Sequence, residues 1–193
     1  MNRALLPAGL LTALLLTGCA SSGQHSTAAG SSTGTGPTAA ASQAGMAMAG
    51  TSDAPSDTAK MVCGDDIRGQ VSQVLKLSAP PKTESSWADQ LYTCTYRLPL
   101  GPMVLSVKQS TGTAAAASYF STLRPTLGST ETLQGLGERS YGTGDGVVVV
   151  IKDNMTLKVD ATGLPKVFGA DQQHRSDLAY EIASDVLGCW TGD

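Results

Sequence analysis

This chain is short of the residues that most enzymes use. Only two of its 193 residues are histidine, His25 and His174. Only His174 lies outside the small-residue N-terminal stretch, in a polar loop before the last predicted helix, and a hydrolytic triad or a histidine-based metal site is hard to build from it alone. None of the four cysteines stands in a CxxC pair, so no thioredoxin-type redox motif or zinc-knuckle spacing is present. P-loop, GxSxG and HExxH patterns are also absent. Gly135-Leu136-Gly137-Glu138-Arg139-Ser140 is one residue short of a dinucleotide fingerprint and does not join a strand to a helix in a βαβ unit. Basic residues are outnumbered by acidic ones, 13 to 16, and form no stripe, which argues against nucleic acid as a partner. Long apolar runs are missing too, with one exception at the start.

That exception is Leu5 to Leu16, apolar apart from Thr12 and preceded by Arg3. A dozen residues cannot span a bilayer as a helix, whereas a charged residue followed by such a run is the pattern of a signal peptide. The run ends Leu16-Thr17-Gly18-Cys19, which resembles the bacterial lipobox. The resemblance implies that residues 1–18 are removed and that the Cys19 sulfur carries a diacylglycerol. Two or three acyl chains anchor a protein stably. Without the leader, which contains no charge but Arg3, 12 basic residues face 16 acidic ones. Electrostatic docking to anionic lipid is therefore not expected.

Residues 20–59 are almost all Ala, Ser, Gly and Thr, with no aromatic residue and only Asp53 and Asp57 charged. Such a stretch cannot bury enough apolar area to offset its ordering entropy. It reads as a tether with a reach of roughly 35 Å. His25, Met46 and Met48 fall within it and read as incidental, not as copper ligands. Residues 60–193 then suit a single domain.

Within that domain, Cys63, Ile67, Val71 and Val74 recur at helical spacing and predict a helix over 63–77, stopped by Pro80-Pro81. Asp65 and Asp66 in its first turn serve the helix dipole. Residues 91–98 and 103–108 alternate about Pro99-Leu100-Gly101-Pro102 and predict a hairpin. Tyr92, Cys94 and Tyr96 then share a face with Met103, Leu105 and Val107. A second helix runs over 113–124, with Ala116, Tyr119, Phe120 and Leu123 on one face and Pro125 at its end. A short extended piece around 136–141 follows. The run Val147 to Asp160 predicts a hairpin turning at Asp153-Asn154, with Val148, Val150, Leu157 and Val159 on the core face. The opposite face, Val149, Ile151, Thr156 and Lys158, is mixed and expected to be only partly covered. Ser176 caps a last helix carrying Leu178, Ile182, Val186 and Cys189. The expected fold is α+β: an antiparallel sheet of about five strands covered by three helices, in the order α-β-β-α-β-β-β-α.

An exported domain sits where disulfides persist. Cys63, Cys94 and Cys189 all fall on core faces, so one bridge and one buried thiol are expected. Cys63–Cys94 is the favoured pair and Cys63–Cys189 the alternative. Such a bridge contributes about 3 kcal/mol.

The pattern resembles small actinobacterial lipoproteins of unassigned function, related to mycobacterial lipoproteins and to the extracellular sensor domains of some serine/threonine kinases. The resemblance rests on the Cys19 lipobox, the tether, Val62-Cys63 opening a helix, Tyr92-Thr93-Cys94-Thr95-Tyr96, Leu133-Gln134-Gly135-Leu136-Gly137 and the closing helix. It covers nearly the whole chain, and Cys189 departs from the family's two-cysteine pattern. It implies an antiparallel sheet carrying helices, and no signalling module comes with it.

The expected function is a membrane-anchored, extracytoplasmic, non-enzymatic binding domain of the cell envelope. It needs no cofactor and no metal, and its partner is an envelope lipid, a glycan or a protein. The candidate binding surface is the less covered sheet face near Trp87, Tyr92 and Tyr96. One alternative is a purely structural or interaction protein. Another is a carboxylate-dependent enzyme using Asp145, Asp153 or Asp160, which would require two carboxylates converging in a cleft with raised pKa values.

Overall fold

The valine-rich segment forms the hairpin that its alternation predicts. In the structure, a computed structural model whose described residues are 53–190, two strands of this hairpin are β6 (Val147–Lys152) and β7 (Met155–Asp160). Lys152 lies opposite Met155, Val150 opposite Leu157 and Val148 opposite Val159. Asp153 takes the positive φ, 54°, that the tight turn needs. In the other hairpin, β2 (Leu91–Leu98) and β3 (Gly101–Gln109) set Tyr92 opposite Val107, Cys94 opposite Leu105 and Tyr96 opposite Met103. β3 pairs in turn with β7, which merges the two hairpins into one sheet. Cys19, the leader and most of the expected tether lie outside the described residues.

The sheet is larger than expected. Seven antiparallel strands lie in the order β1-β2-β3-β7-β6-β5-β4, with β1 at Lys82–Ala88, β4 at Glu131–Thr132 and β5 at Arg139–Gly142. β1, Lys-Thr-Glu-Ser-Ser-Trp-Ala, shows no apolar alternation because it is an edge strand. Backbone pairing with β2 holds it, through a turn in which both Asp89 and Gln90 have positive φ. A separate ribbon, β8 (Val167–Phe168) with β9 (Gln173–His174), interrupts the approach to the last helix. His174 is exposed there.

Three helices of ten or more residues cover the sheet: α2 (Asp65–Val74), α3 (Thr113–Leu123) and α4 (Arg175–Trp190). A single turn, α1 (Asp57–Lys60), precedes them and buries Ala59 completely, so the packed part begins before the expected boundary at residue 60. α2 is shorter than the predicted 63–77. Cys63 belongs to a 3-10 turn ahead of it, and the helix ends well before Pro80. Lys76, at φ 52°, reverses the chain, and the amides of Lys76 and Leu77 return to the carbonyls of Gln73 and Ser72. That is a Schellman ending built on lysine in place of glycine. α4 starts at Arg175, two residues earlier than a helix capped by Ser176 would, which puts Ser176 inside its first turn.

α2 and α4 close one face of the sheet. Ile67, Val71, Leu178, Ile182 and Val186 meet Tyr96, Met103, Leu105, Val107, Val148, Val150, Leu157 and Val159 in one continuous core. Burying each such aliphatic side chain contributes ~1.5–3 kcal/mol. The Cys63–Cys94 bridge ties the start of α2 to β2, so Cys63 does not pair with Cys189, which is buried on α4. The opposite face corrects a second expectation. Val149 and Ile151 are fully covered, because α3 lays Ala116 and Phe120 over them and over Tyr141. Among the described residues no helix lies over the β1–β3 half of that face, which shows Thr93, Thr95 and an exposed Arg97–Glu84 pair.

Candidate functional site

The expected binding surface does not form. Strand register puts Tyr92 and Tyr96 on the same face as Val107 and Met103, beneath α2 and α4. Tyr96 is fully buried and its hydroxyl donates to the Val62 carbonyl at 2.5 Å. Burial pushes its pKa up. Trp87 is half-buried against the same core, and its indole N–H donates to the Asp53 carbonyl at 3.2 Å. The strand alternation that brings Tyr92 and Tyr96 together also turns them inward, and Trp87 packs partly against the same core.

A concave apolar site lies elsewhere, where three segments distant in sequence meet. The end of α2 supplies Val74, Leu75 and Leu77, the β2–β3 turn supplies Leu98, Pro99 and Leu100, and the segment 164–173 supplies Leu164 and Phe168. They enclose a cleft of about 180 Å³. Backbone chemistry places each wall. The Schellman ending presents both Leu75 and Leu77 to the cleft. Gly101, at φ 134°, lets the hairpin turn press against the 161–164 loop. A Cβ at Gly101 would stand 2.1 Å from the Gly163 carbonyl oxygen. Arg175 secures that loop by donating to the carbonyls of Thr162 (3.0 Å) and Leu164 (2.7 Å).

The rim carries an ion pair, and Gln173 lines the cleft as well. Lys76 Nζ meets Asp171 Oδ2 at 2.6 Å, with both side chains largely exposed. Their hydrogen bond raises the lysine pKa and lowers that of the aspartate. An exposed pair of this kind is worth little to stability. Its place at the mouth of an apolar cleft gives the site an amphiphilic character, and half-exposed Leu100 extends the apolar wall outward.

Among the described residues, Asp145, Asp153 and Asp160 are not arranged as an acid–base pair. Asp145 and Asp160 do line one open cleft with Thr143 and Thr162. Lys166 first, and then Arg175, hold Asp145 below its ordinary pKa. Burial alone would raise Asp160, but hydrogen bonds from the Thr162 hydroxyl and amide and the nearby Lys158 outweigh it and hold it low. Both stay ionised, so neither is poised to donate a proton at neutral pH. Asp153 sits away from them in the β6–β7 turn. Asp185 is raised, by burial and then by Glu181, but lies on α4 outside these clefts. Among the described residues no cluster of three or more His, Cys, Asp or Glu is placed to hold a metal ion. Nor is any described helix long and apolar enough to cross a membrane.

No protein-family model matches this chain, and neither a curated protein nor a solved structure matches it. The apolar cleft was not visible in the sequence, since its walls are separated by up to a hundred residues. The one local signal was the pair of leucines, Leu75 and Leu77, continuing past the last turn of a helix.

Proposed function

We propose that this chain is a lipoprotein anchored through Cys19 to the outer face of the cell membrane, and that its globular domain binds the end of an acyl chain of an envelope lipid. The apolar cleft between α2, the β2–β3 turn and the 164–173 segment carries this reading. A dry apolar cavity on the order of 150 Å³ takes up a molecule the size of benzene. At about 180 Å³ the cleft suits one chain end, not a whole lipid. The Lys76–Asp171 pair at its rim would sit where the chain leaves toward a polar head group. A tether of roughly 35 Å would keep the domain within reach of the membrane that holds the lipid. A partner protein inserting one apolar side chain is the second reading, favoured by the half-exposed Leu100 at the mouth.

Mass spectrometry of the native chain after gentle membrane extraction tests both parts. The expected result is a diacylglycerol-modified Cys19 and a lipid retained by the folded domain. Titration with a fluorescent fatty acid should then show binding to the parent chain and at least a tenfold loss, about 1.4 kcal/mol, in Leu100→Asp and in Ala170→Trp. Both substitutions fall at exposed positions lining the cleft. An unmodified Cys19 would sink the anchor. Equal fatty-acid binding by the parent and both variants would sink the cleft.

A further inference from the structure

We propose that a second cleft, between α3 and β5, is a binding site for a small oxyanion, a phosphoryl or carboxylate group gripped by Arg124 and Arg139. Five arginines lie among the described residues. Three are ion-paired: Arg68 with Asp65 at 2.8 Å, Arg97 with Glu84 at 2.7 Å and Arg175 with Asp145 at 3.1 Å. Arg124 and Arg139 meet no carboxylate within 4.0 Å among the described residues, and these two line the same cleft. Scarcity of acid does not explain it, because acidic residues outnumber basic ones 16 to 13. Glu138 is next to Arg139 in sequence and lines the cleft too, yet its carboxylate is turned onto the Asp153 amide at 2.8 Å.

Both guanidiniums are held in place. Arg139 lies over the Phe120 ring at 5.2 Å and Arg124 over the Tyr141 ring at 5.4 Å, and those two rings are 4.7 Å apart. The rings are themselves locked, since the Tyr141 hydroxyl donates to the Phe120 carbonyl at 2.8 Å. The aromatic pair therefore orients two like charges toward one space before any ligand arrives, which lowers the ordering cost of binding. Arg124 uses only its Nε–H, on the Thr130 hydroxyl at 2.9 Å. Its terminal N–H groups, and the fork of Arg139, remain for a planar or tetrahedral oxyanion. The cleft measures about 420 Å³, within the range of small-molecule sites, roughly 300–1,000 Å³. The Gly135–Gly137 turn forms one wall. A Cβ at Gly137 would stand 2.5 Å from Val150 Cγ1, so the turn can lie this close to the sheet only with glycine there.

The oxyanion could belong to a free solute or to a lipid head group, and two measurements on the full chain carrying Cys19→Ser separate them. Calorimetric titration with inorganic phosphate at low ionic strength should show saturable, salt-sensitive binding. Arg124→Gln and Arg139→Gln should each weaken it about tenfold or more, while Arg97→Gln leaves it unchanged. Flotation with phosphatidylglycerol vesicles, against phosphatidylcholine, should show arginine-dependent binding if the head group is the source. Dependence on Arg124 and Arg139 in either measurement supports the site and names its ligand source. Circular dichroism checks folding. If a glutamine variant does not fold, Arg139→Lys keeps the charge, loses the fork and should still weaken binding. No binding in either measurement, or binding that survives the Arg124 and Arg139 substitutions, overturns the proposal.

Discussion

The two faces of the sheet are built by different sequence patterns. β2 alternates, with Tyr92, Cys94 and Tyr96 inward and Thr93, Thr95 and Arg97 outward, and it is covered on one face only. β6 is a run, Val147 to Ile151, buried throughout, and it is covered on both: α2 and α4 on one side, α3 on the other. Alternation therefore marks a strand with one wet face, and a run marks a strand that needs two roofs. The sheet changes from one kind to the other between β3 and β6, and α3 ends up over the half where branched residues point both ways. The main core is continuous and crosslinked. The second is a small patch under a single helix, and its edge is where the two unpaired arginines sit.

The comparison predicts unequal costs. Leu105→Ala, in the centre of the main core, should lower unfolding free energy by about 3–5 kcal/mol. Val149→Ala, in the patch beneath α3, removes less and leaves a site that one helix can settle into, so about 2 kcal/mol is expected. Urea unfolding gives both values. Hydrogen exchange sharpens the contrast: Val149→Ala should speed exchange in α3 selectively, whereas Leu105→Ala should speed it everywhere. Equal costs with identical exchange patterns would mean that the two cores behave as one.

Removing the bridge should cost an amount between those of these two substitutions. Cys63 and Cys94 are 31 residues apart, and the double change to alanine should cost about 3 kcal/mol through the denatured state. The bridge anchors only the main core, so α3 exchange relative to global unfolding should not change. Peptide mapping of the native chain under non-reducing conditions should recover the Cys63–Cys94 link. Recovery of a Cys63–Cys189 link would overturn the pairing.

Much of this was readable from the residues, and the failures have physical causes. The register of the β6–β7 hairpin followed from its turn at Asp153-Asn154, and the inward faces of β2 and β3 from their alternation. Cys63–Cys94 was the favoured of two pairings, because Cys189 also lies on a core face and patterning alone does not choose between them. β1 was invisible because an edge strand with Lys82, Glu84 and three serine or threonine neighbours has no buried face of its own to announce it. The roof over Val149 and Ile151 was missed because Thr156 and Lys158 made that face look mixed. Thr156 is in fact fully buried, while Lys158 reaches Asp160 at 3.2 Å. The clefts were beyond reach, because which arginine finds a carboxylate is decided by tertiary neighbours and not by spacing.

The smallest expected effect is also the one that isolates the second face most cleanly. Burial raises the Tyr141 phenol to about 12, with Arg124 pulling weakly the other way. The folded state thus prefers the neutral phenol, which donates to the Phe120 carbonyl in α3. Stability from this group is whole below the ordinary tyrosine value near 10 and is lost as pH climbs from there to about 12. Tyr141→Phe should cost about 1 kcal/mol at neutral pH, the worth of one hydrogen bond. It should also shrink the alkaline loss of protection in α3 without abolishing it, because Tyr119 on the same helix is likewise raised by burial. Tyr96 lies on the other face, so alkaline exposure of α2 and α4 should be the same in parent and variant. Loosening of α3 with the same pH profile in both would show that the phenol does not fasten this helix to the sheet.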